Sequence, residues 1–433
     1  MTIPCIGLRA ERANLAVSVA NCLKCKGKNP KLCGREFCPI VAKAESLFKT
    51  RDALDKDSFA GSSPAPFVGR FGYPEVNVGI LAPPELSEDA WIYDSPKHWA
   101  ATNISIEEIA SLRSSLINSR FKANVKAAAG SSQAKLLELS QEIGMASKPV
   151  DVEFKLKEKP VFKVNTDSHL APMGPNAKLE NAEITSNPKI HTKVDRAVSA
   201  TDLKSTDAIV SLYHSGFDEN FLSKLLSIGN LGIEGRRRLV PTRFSITAVD
   251  DLLGKHLINE IKQKPVCDSY AAYFGGILGN YYLILVFPDS WSYELFEMYS
   301  PKVSWNPSTE LQYSTDYESY YGRKEYAYSC AGGYYANRIG VLEKLSQLKR
   351  QASVLAIRII TGEYYLPLGV WCCRESTRRA LESPPVQFSS KEQMLNYART
   401  SVKTKFNINL QFLFAGSRLL RNVGKQSRLN AFL

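Results

Sequence analysis

The sequence predicts an α+β chain, with a mixed α/β order as the alternative. Three observations predict it. Apolar residues switch repeatedly between helical spacing and strict alternation. The chain becomes densely aliphatic and aromatic from Thr201 onward. Four of the nine cysteines crowd into residues 22–38, which sets off a small module ahead of a large mixed domain. No internal repeat interrupts this plan. At 433 residues the chain has room for two or three domains.

Leu8 to Ala20 forms an amphipathic helix candidate, and Ile40 to Leu54 reads as helical through Ala42, Ala44, Leu47 and Phe48. Asp57 to Pro66 is a Ser/Gly/Pro break and closes a first module over residues 1–60. Val76 to Leu81 alternates weakly before Pro83-Pro84. Ile106 to Phe121 reads as a helix with Ser105 as N-cap and Glu107 and Glu108 near its positive end. Ala127 to Ser132 is a linker or helix break, and Gln133 to Met145 a helix. Val150 to Leu156 and Val161 to Val164, separated by Pro160, form a candidate strand pair. These make a mixed domain with linker segments over 61–200.

The α+β core domain spans 201–415. Asp202 to Leu212 and Phe221 to Leu226 read as helices, and Phe244 to Val249 as a short β-rich run. Asp250 to Ile261 is helical, and Tyr270 to Phe287 reads as strands with Gly275-Gly276 and Gly279-Asn280 as turns. Val341 to Ala352 is a helix, Val354 to Ile360 and Leu366 to Trp371 are strands, and Glu392 to Thr400 is a last helix. Residues 416–433 form a flexible tail.

No run of about twenty apolar residues is present, which excludes a membrane-spanning helix. The first residues lack a basic segment followed by a long apolar one, so a cytoplasmic location is expected. The formal net charge is +12, a balance that draws polyanions to the chain. From Thr400 to Leu433 there are six cations and no acid. Arg236, Arg237 and Arg238, with Arg243 close behind, make a second cluster whose guanidinium forks suit phosphate, although a solvated basic loop explains them as well.

Cys22, Cys25, Cys33 and Cys38 carry the sharpest chemistry. In a reducing compartment their spacing reads as a closed zinc site of four thiolates. Gly27 and Gly34 supply conformational freedom for the turns, and Lys24, Lys26, Lys28, Lys31 and Arg35 offset the negative metal centre. An iron–sulfur cluster would accept the same ligands. Cys267, Cys330, Cys372 and Cys373 read as core residues.

The last residues, Gln426 to Leu433, match the sliding-clamp box Q-x-x-[Leu/Ile/Met]-x-x-[aromatic]-[aromatic or Leu]. One helical turn places Leu429, Phe432 and Leu433 on one face to fill an apolar groove, with Gln426 in a polar pocket. Lys425 and Arg428 suit an acidic clamp surface.

The cysteine cluster with Pro39-Ile40, the run Phe67-Val68-Gly69-Arg70-Phe71-Gly72-Tyr73-Pro74, the run Leu239 to Asp251 and the terminal box together resemble the archaeal NreA DNA repair proteins over the whole chain. The resemblance implies a role in DNA damage repair and binding to the archaeal clamp, PCNA. It also implies zinc on the four cysteines and clamp contact through 426–433.

Catalytic motifs are absent: there is no Walker A loop, HExxH, GxSxG or dinucleotide fingerprint. The competing class is a clamp-tethered enzyme, a nuclease or an ADP-ribosyltransferase-like protein. Its best residues would be Arg243 with Asp250, Asp251, Glu294 or Glu297, the adjacent aspartates being the first metal ligands to test. Tyr313, Tyr317, Tyr320, Tyr321, Tyr326 and Tyr328 are dense enough to stack bases, or to fill a core.

Overall fold

The computed structural model describes Ala44 and residues 57–126, 132–160 and 171–424. The four clustered cysteines, the strand expected at 161–164 and the box at 426–433 lie outside the described residues. Two six-stranded sheets organise the rest, with helices against them.

The first sheet contains β1 (Ser58–Ser63), β2 (Ala65–Val68), β3 (Glu75–Ala82), β4 (Ile117–Asn124), β5 (Val150–Leu156) and β6 (Asn176–Ile184). Its order is β1-β5-β6-β4-β3-β2, with only β4 and β6 parallel. The two edge strands are separated by one residue, Pro64. Proline has no N–H to give a ladder, so the chain leaves one edge there and joins the other. The sheet is curled enough to bring the two edges together. Ser63 Oγ donates to the Leu81 carbonyl at 2.8 Å, and a Cβ on Gly61 would fall 2.0 Å from the Pro83 oxygen. The Ser/Gly/Pro segment expected to be a break is therefore paired strand.

Inside the curl lie Val76, Val78, Ile80, Phe121, Val152, Phe154 and Leu179. Helix α3 (Ser132–Met145) adds Leu136, Leu139 and Ile143; α1 (Pro96–Ala101) and α2 (Ile106–Ser115) precede it in the chain. Ser105 caps α2 as expected, and Glu108 accepts from the Ser105 N–H in return to complete a reciprocal box. The helix stops at Ser115, however, and not at Phe121. Leu116 is extended, and the following residues enter β4, where β3 and β6 take their backbone groups on both sides. Val150 to Leu156 is a strand as expected, and it pairs with β1 and β6.

The second half begins with α4 (Thr192–Ser199), α5 (Ser205–His214), α6 (Glu219–Ser227) and α7 (Thr242–Ile261). Strands β7 (Tyr270–Ile277), β8 (Asn280–Phe287), β9 (Ser292–Tyr299) and β10 (Gln312–Glu318) follow. After them come α8 (Ala331–Leu348), β11 (Ser353–Ile360), α9 (Trp371–Glu382), β12 (Val386–Phe388), α10 (Lys391–Phe406), α11 (Gln411–Gly416) and α12 (Arg418–Asn422). The sheet order is β10-β9-β11-β8-β7-β12, with only β9 and β11 parallel. The β7–β8 turn places Leu278 and Gly279 at positive φ, as a two-residue hairpin requires.

Alternation sorts the two faces of this sheet. Tyr282, Ile284, Val286, Tyr293 and Leu295 face α5 to α9. Leu283, Leu285, Phe287, Phe296 and Met298 face α10 to α12. Two expectations fail here. Phe244 to Val249, rich in β-formers, is part of the first turns of α7, because Val249 and Leu253 must share one buried helical face. Leu366 to Trp371 forms no strand; it leads into α9, with Leu366, Leu368 and Trp371 packed on Trp99 and Tyr364.

Charge is buried with these layers. Arg338 of α8 is 2% exposed and bonds Glu318 at 2.8 Å and Asp251 at 2.7 Å. Trp291 Nε1 donates to the same Glu318 at 3.2 Å. Replacing Arg338 by alanine strands Glu318 without a counter-charge. We expect Arg338→Ala to lose about 3–5 kcal/mol in urea unfolding, and a double replacement of Arg338 and Glu318 by apolar residues to lose less. Equal losses in the single and double variants would show that packing, not charge, is at stake.

Candidate nucleic-acid interface

The first turn of α7 gathers segments from both halves of the chain. Thr242 Oγ1 accepts from the Val68 backbone N–H at 2.9 Å, which fixes the β2–β3 hairpin beside the helix start. It also lies 3.0 Å from Ser227 Oγ of α6. The preceding loop is pinned by Leu239 N–H to the Val125 carbonyl and by Val240 N–H to the Ser227 carbonyl. Side chains that leave this junction face solvent: Phe71 and Tyr73 at the hairpin tip, and Arg243 and Phe244 on α7. Arg70 stacks over the Phe71 ring at 4.8 Å.

The loop before α8 completes the surface. Tyr328 is 79% exposed and meets Tyr326 edge-on, and Tyr326 stacks on Tyr335 at 5.4 Å. Burial and the neighbouring Tyr335 push the Tyr326 hydroxyl up, while Arg243 and the Thr247 hydroxyl pull it back, so α7 and this loop share one electrostatic neighbourhood. Exposed rings interleaved with guanidinium groups offer π-faces and cations together, the combination that grips unpaired bases and their phosphates.

The four arginines singled out in the sequence separate into two roles. Arg236 and Arg243 are exposed and are in no ion pair among the described residues. Arg237 is spent inside the protein: its Nη2 donates to the carbonyls of Val198 at 2.7 Å and Ala200 at 3.0 Å, and its Nε to Gly232 at 2.8 Å. Arg238 is exposed but curls onto the Arg237 carbonyl at 2.6 Å. The tyrosines separate as well. Tyr326 and Tyr328 stand at the junction, Tyr320 lies under Lys262, and Tyr313 packs on Phe296 and Phe412.

The carboxylates weighed as catalytic do not converge. Asp250 lies fully buried against Arg374 Nη2, at 2.6 and 2.7 Å, whereas Asp251 turns to Arg338 and Lys255. Successive helix positions point about 100° apart, so neighbouring aspartates take different partners. Glu294 receives the Ser417 hydroxyl at 2.5 Å and the Arg418 and Leu419 N–H groups, capping α12. Glu297 pairs with Arg358 at 2.6 Å.

A cleft of about 290 Å³ opens between the halves, lined by Trp91, Lys97, Lys148, Glu219, Lys224 and Arg374 among others. Burial pushes the Glu219 carboxyl up, but Arg374, Arg378 and Lys97 outweigh it and hold it at about 2. Its acid is thus committed as an anion within the fold.

These features define a two-sheet α+β protein with an exposed face of arginines and aromatic rings. The chain belongs to the archaeal Nre family: the family models for the Nre N-terminal and C-terminal regions match residues 32–306 and 318–432. It is 38% identical over 328 residues to the DNA repair protein NreA of Haloferax volcanii, covering 75% of this chain and 78% of that protein. It is 37% identical over 384 residues to the DNA repair protein NreA of Archaeoglobus fulgidus, covering 89% and 94%. With the DNA repair protein NreB of the same organism it shares 33% over 377 residues, covering 87% and 92%. No solved structure matches the chain. No helix among the described residues is long and apolar enough to cross a membrane.

The buried Asp250 sets a pH dependence. Burial pushes its carboxyl up to about 6 from an ordinary 3.8, against the pull of Arg374. Between those values the folded chain holds a proton that the unfolded chain has released. The stability from this group is therefore present in acid and lost as pH rises through about 6. On going from about pH 7 to about pH 4, wild type should gain stability relative to Asp250→Asn, read from the urea midpoints of the two proteins. A flat or opposite difference would refute the assignment.

Proposed function

We propose that this protein acts in DNA repair, holding DNA on the arginine and aromatic face at the start of α7 while its terminal peptide docks on the sliding clamp. The observation that carries the first part is the anchored start of α7: Arg243 and Phe244 are exposed on it, Arg243 acts on Tyr326 of the loop before α8, and the hairpin bonded to Thr242 exposes Phe71 and Tyr73 at its tip. The names of the relatives support the repair role. The net charge of +12 supports polyanion binding. Gln426, Leu429, Phe432 and Leu433, in the order the clamp box requires, support docking on PCNA. Cys22, Cys25, Cys33 and Cys38 would hold one structural zinc, with their neighbouring lysines adding to the basic surface. The enzyme alternative, a nuclease or an ADP-ribosyltransferase-like activity, has weaker support, because its best acids are each engaged by a different partner.

On labelled single-stranded DNA, Arg243→Ala should weaken binding and lower the salt slope by about one. Tyr328→Ala should cost about 1–3 kcal/mol with the slope unchanged. Arg237→Ala should act on stability first, since its fork is bonded to protein carbonyls. Binding that is insensitive to Arg243 and Tyr328 would remove the proposed surface.

Deleting residues 426–433 should abolish binding to the clamp and leave the thermal unfolding of the protein unchanged. Phe432→Ala alone should cost about 2 kcal/mol or more, and Arg428→Ala less, as a rim charge. Undiminished clamp binding by the truncated protein would exclude the docking role.

A further inference from the structure

The last turn of α5 and the second half of α7 bring together three metal-ligating side chains far from any motif in the sequence. His214 ends α5, and His256 and Glu260 lie one turn apart on α7. His214 Nε2 is 2.9 Å from His256 Nε2; Glu260 Oε1 is 3.1 Å from His256 Nε2 and 3.9 Å from His214 Nε2. Donors at 2.0–2.1 Å from a tetrahedral metal stand about 3.3 Å apart, a value these three separations bracket.

We propose that His214, His256 and Glu260 form a site for a transition-metal dication, Zn²⁺ above all, with an open fourth position facing solvent. The three atoms converge with too few protons to bond one another. A neutral imidazole has one N–H. If His256 Nε2–H donates to Glu260, it has no lone pair left for His214, whose own route to Glu260 spans 3.9 Å. If it donates to His214 instead, the carboxylate is left facing the pair. A cation at the centre satisfies all three lone pairs together. Two imidazoles and one carboxylate are a donor set that suits zinc, cobalt or nickel better than calcium or magnesium, which take oxygen ligands.

The backbone holds this geometry before any metal arrives. Leu212 and Leu257, buried close to the ligands in sequence, pack in the core shared by α5 and α7. Tyr213 is tied to Glu343 of α8 at 2.6 Å, which fixes the end of α5. His256 and Glu260 are one helical turn apart, the spacing at which two side chains share a face. All three ligands retain some exposure, so an ion and an exchangeable fourth ligand have access. A bound metal would cross-link α5 to α7.

The test uses full-length protein equilibrated in zinc-buffered solution, desalted, and assayed for metal per chain. Wild type should carry one zinc more than His256→Ala, and His214→Ala, on the other helix, should show the same deficit. The N-terminal cysteines are intact in all three proteins, so whatever they bind cancels. Cobalt replaces zinc in a second readout: the variants should lose visible bands but no thiolate charge-transfer absorption. Zinc should raise the melting temperature of wild type more than that of either variant, and circular dichroism checks that each variant is folded. Equal zinc content in wild type and both folded variants would overturn the proposal, as would a deficit in one variant only.

Discussion

The ionic lattice around α9 is the constraint on which the second half of this protein rests. Arg374 clamps Asp250 of α7, and Arg378 bonds Glu343 of α8, Glu375 of its own helix and Glu219 of α6. Each of these charges has left water at a cost of several kcal/mol, so the arrangement is tolerable only when every partner is in place. Three helices are thereby locked to a fourth at fixed register, in a way that apolar packing alone would leave freer to slide. The same lattice forms one wall of the cleft toward the first half, through Glu219, Arg374 and Glu375. Burial outweighs the guanidinium groups at Asp250 and is outweighed by them at Glu219, two carboxylates within one network.

Helix α7 carries this lattice outward to the surface. Asp250 lies within α7, and α7 begins at Thr242, whose hydroxyl receives the first sheet's Val68 N–H. The helix that carries the buried aspartate therefore also aligns the β2–β3 hairpin, the arginine loop and Arg243. Exposed rings in such positions gain nothing from the core, and several of them side by side mark a surface that meets something else. The alternation of rings and guanidinium groups suits a polyanion with planar bases, in keeping with relatives named for DNA repair. At the far end of α7, His256 and Glu260 meet His214, so one helix of 20 residues links a proposed nucleic-acid face to a proposed metal site.

Much of the fold is legible in the sequence. The α+β class, the Ser105 N-cap, the helix near Gln133 to Met145, the strand at Val150 to Leu156 and the strands from Tyr270 with their turn at Gly279 follow from local pattern, because caps, periodicity and turn residues act over a few positions; Gly275-Gly276, expected as a turn, lies inside β7 and pairs with Tyr282 and Tyr281. The boundaries that moved were those where pattern and pairing compete. Ile117 to Phe121 is as apolar as a helix end, yet two neighbouring strands claim its backbone. Phe244 to Val249 has the composition of a strand, yet Val249 belongs to a buried helical face with Leu253 while Phe244 stays exposed. The buried charges of α9 draw on partners far along the chain as well as near ones: Arg374 on Asp250 and Arg378 on Glu219 span more than a hundred positions.

What the sequence settles is local: the basic balance, the spacing of four clustered cysteines, the order of the terminal residues and a family resemblance. Each rests on residues close together in the chain, where spacing alone carries the meaning. Which arginines are free is settled by packing in three dimensions. Arg237 and Arg243 are six positions apart and equally basic, but one is consumed by the carbonyls of Val198 and Ala200 and the other faces solvent. Only folding brings Val68 to Thr242, parts Asp250 from Asp251, and brings His214 to His256. Hydrogen bonds and desolvation are settled by neighbours in space, and a linear pattern does not specify neighbours across sheets and helices.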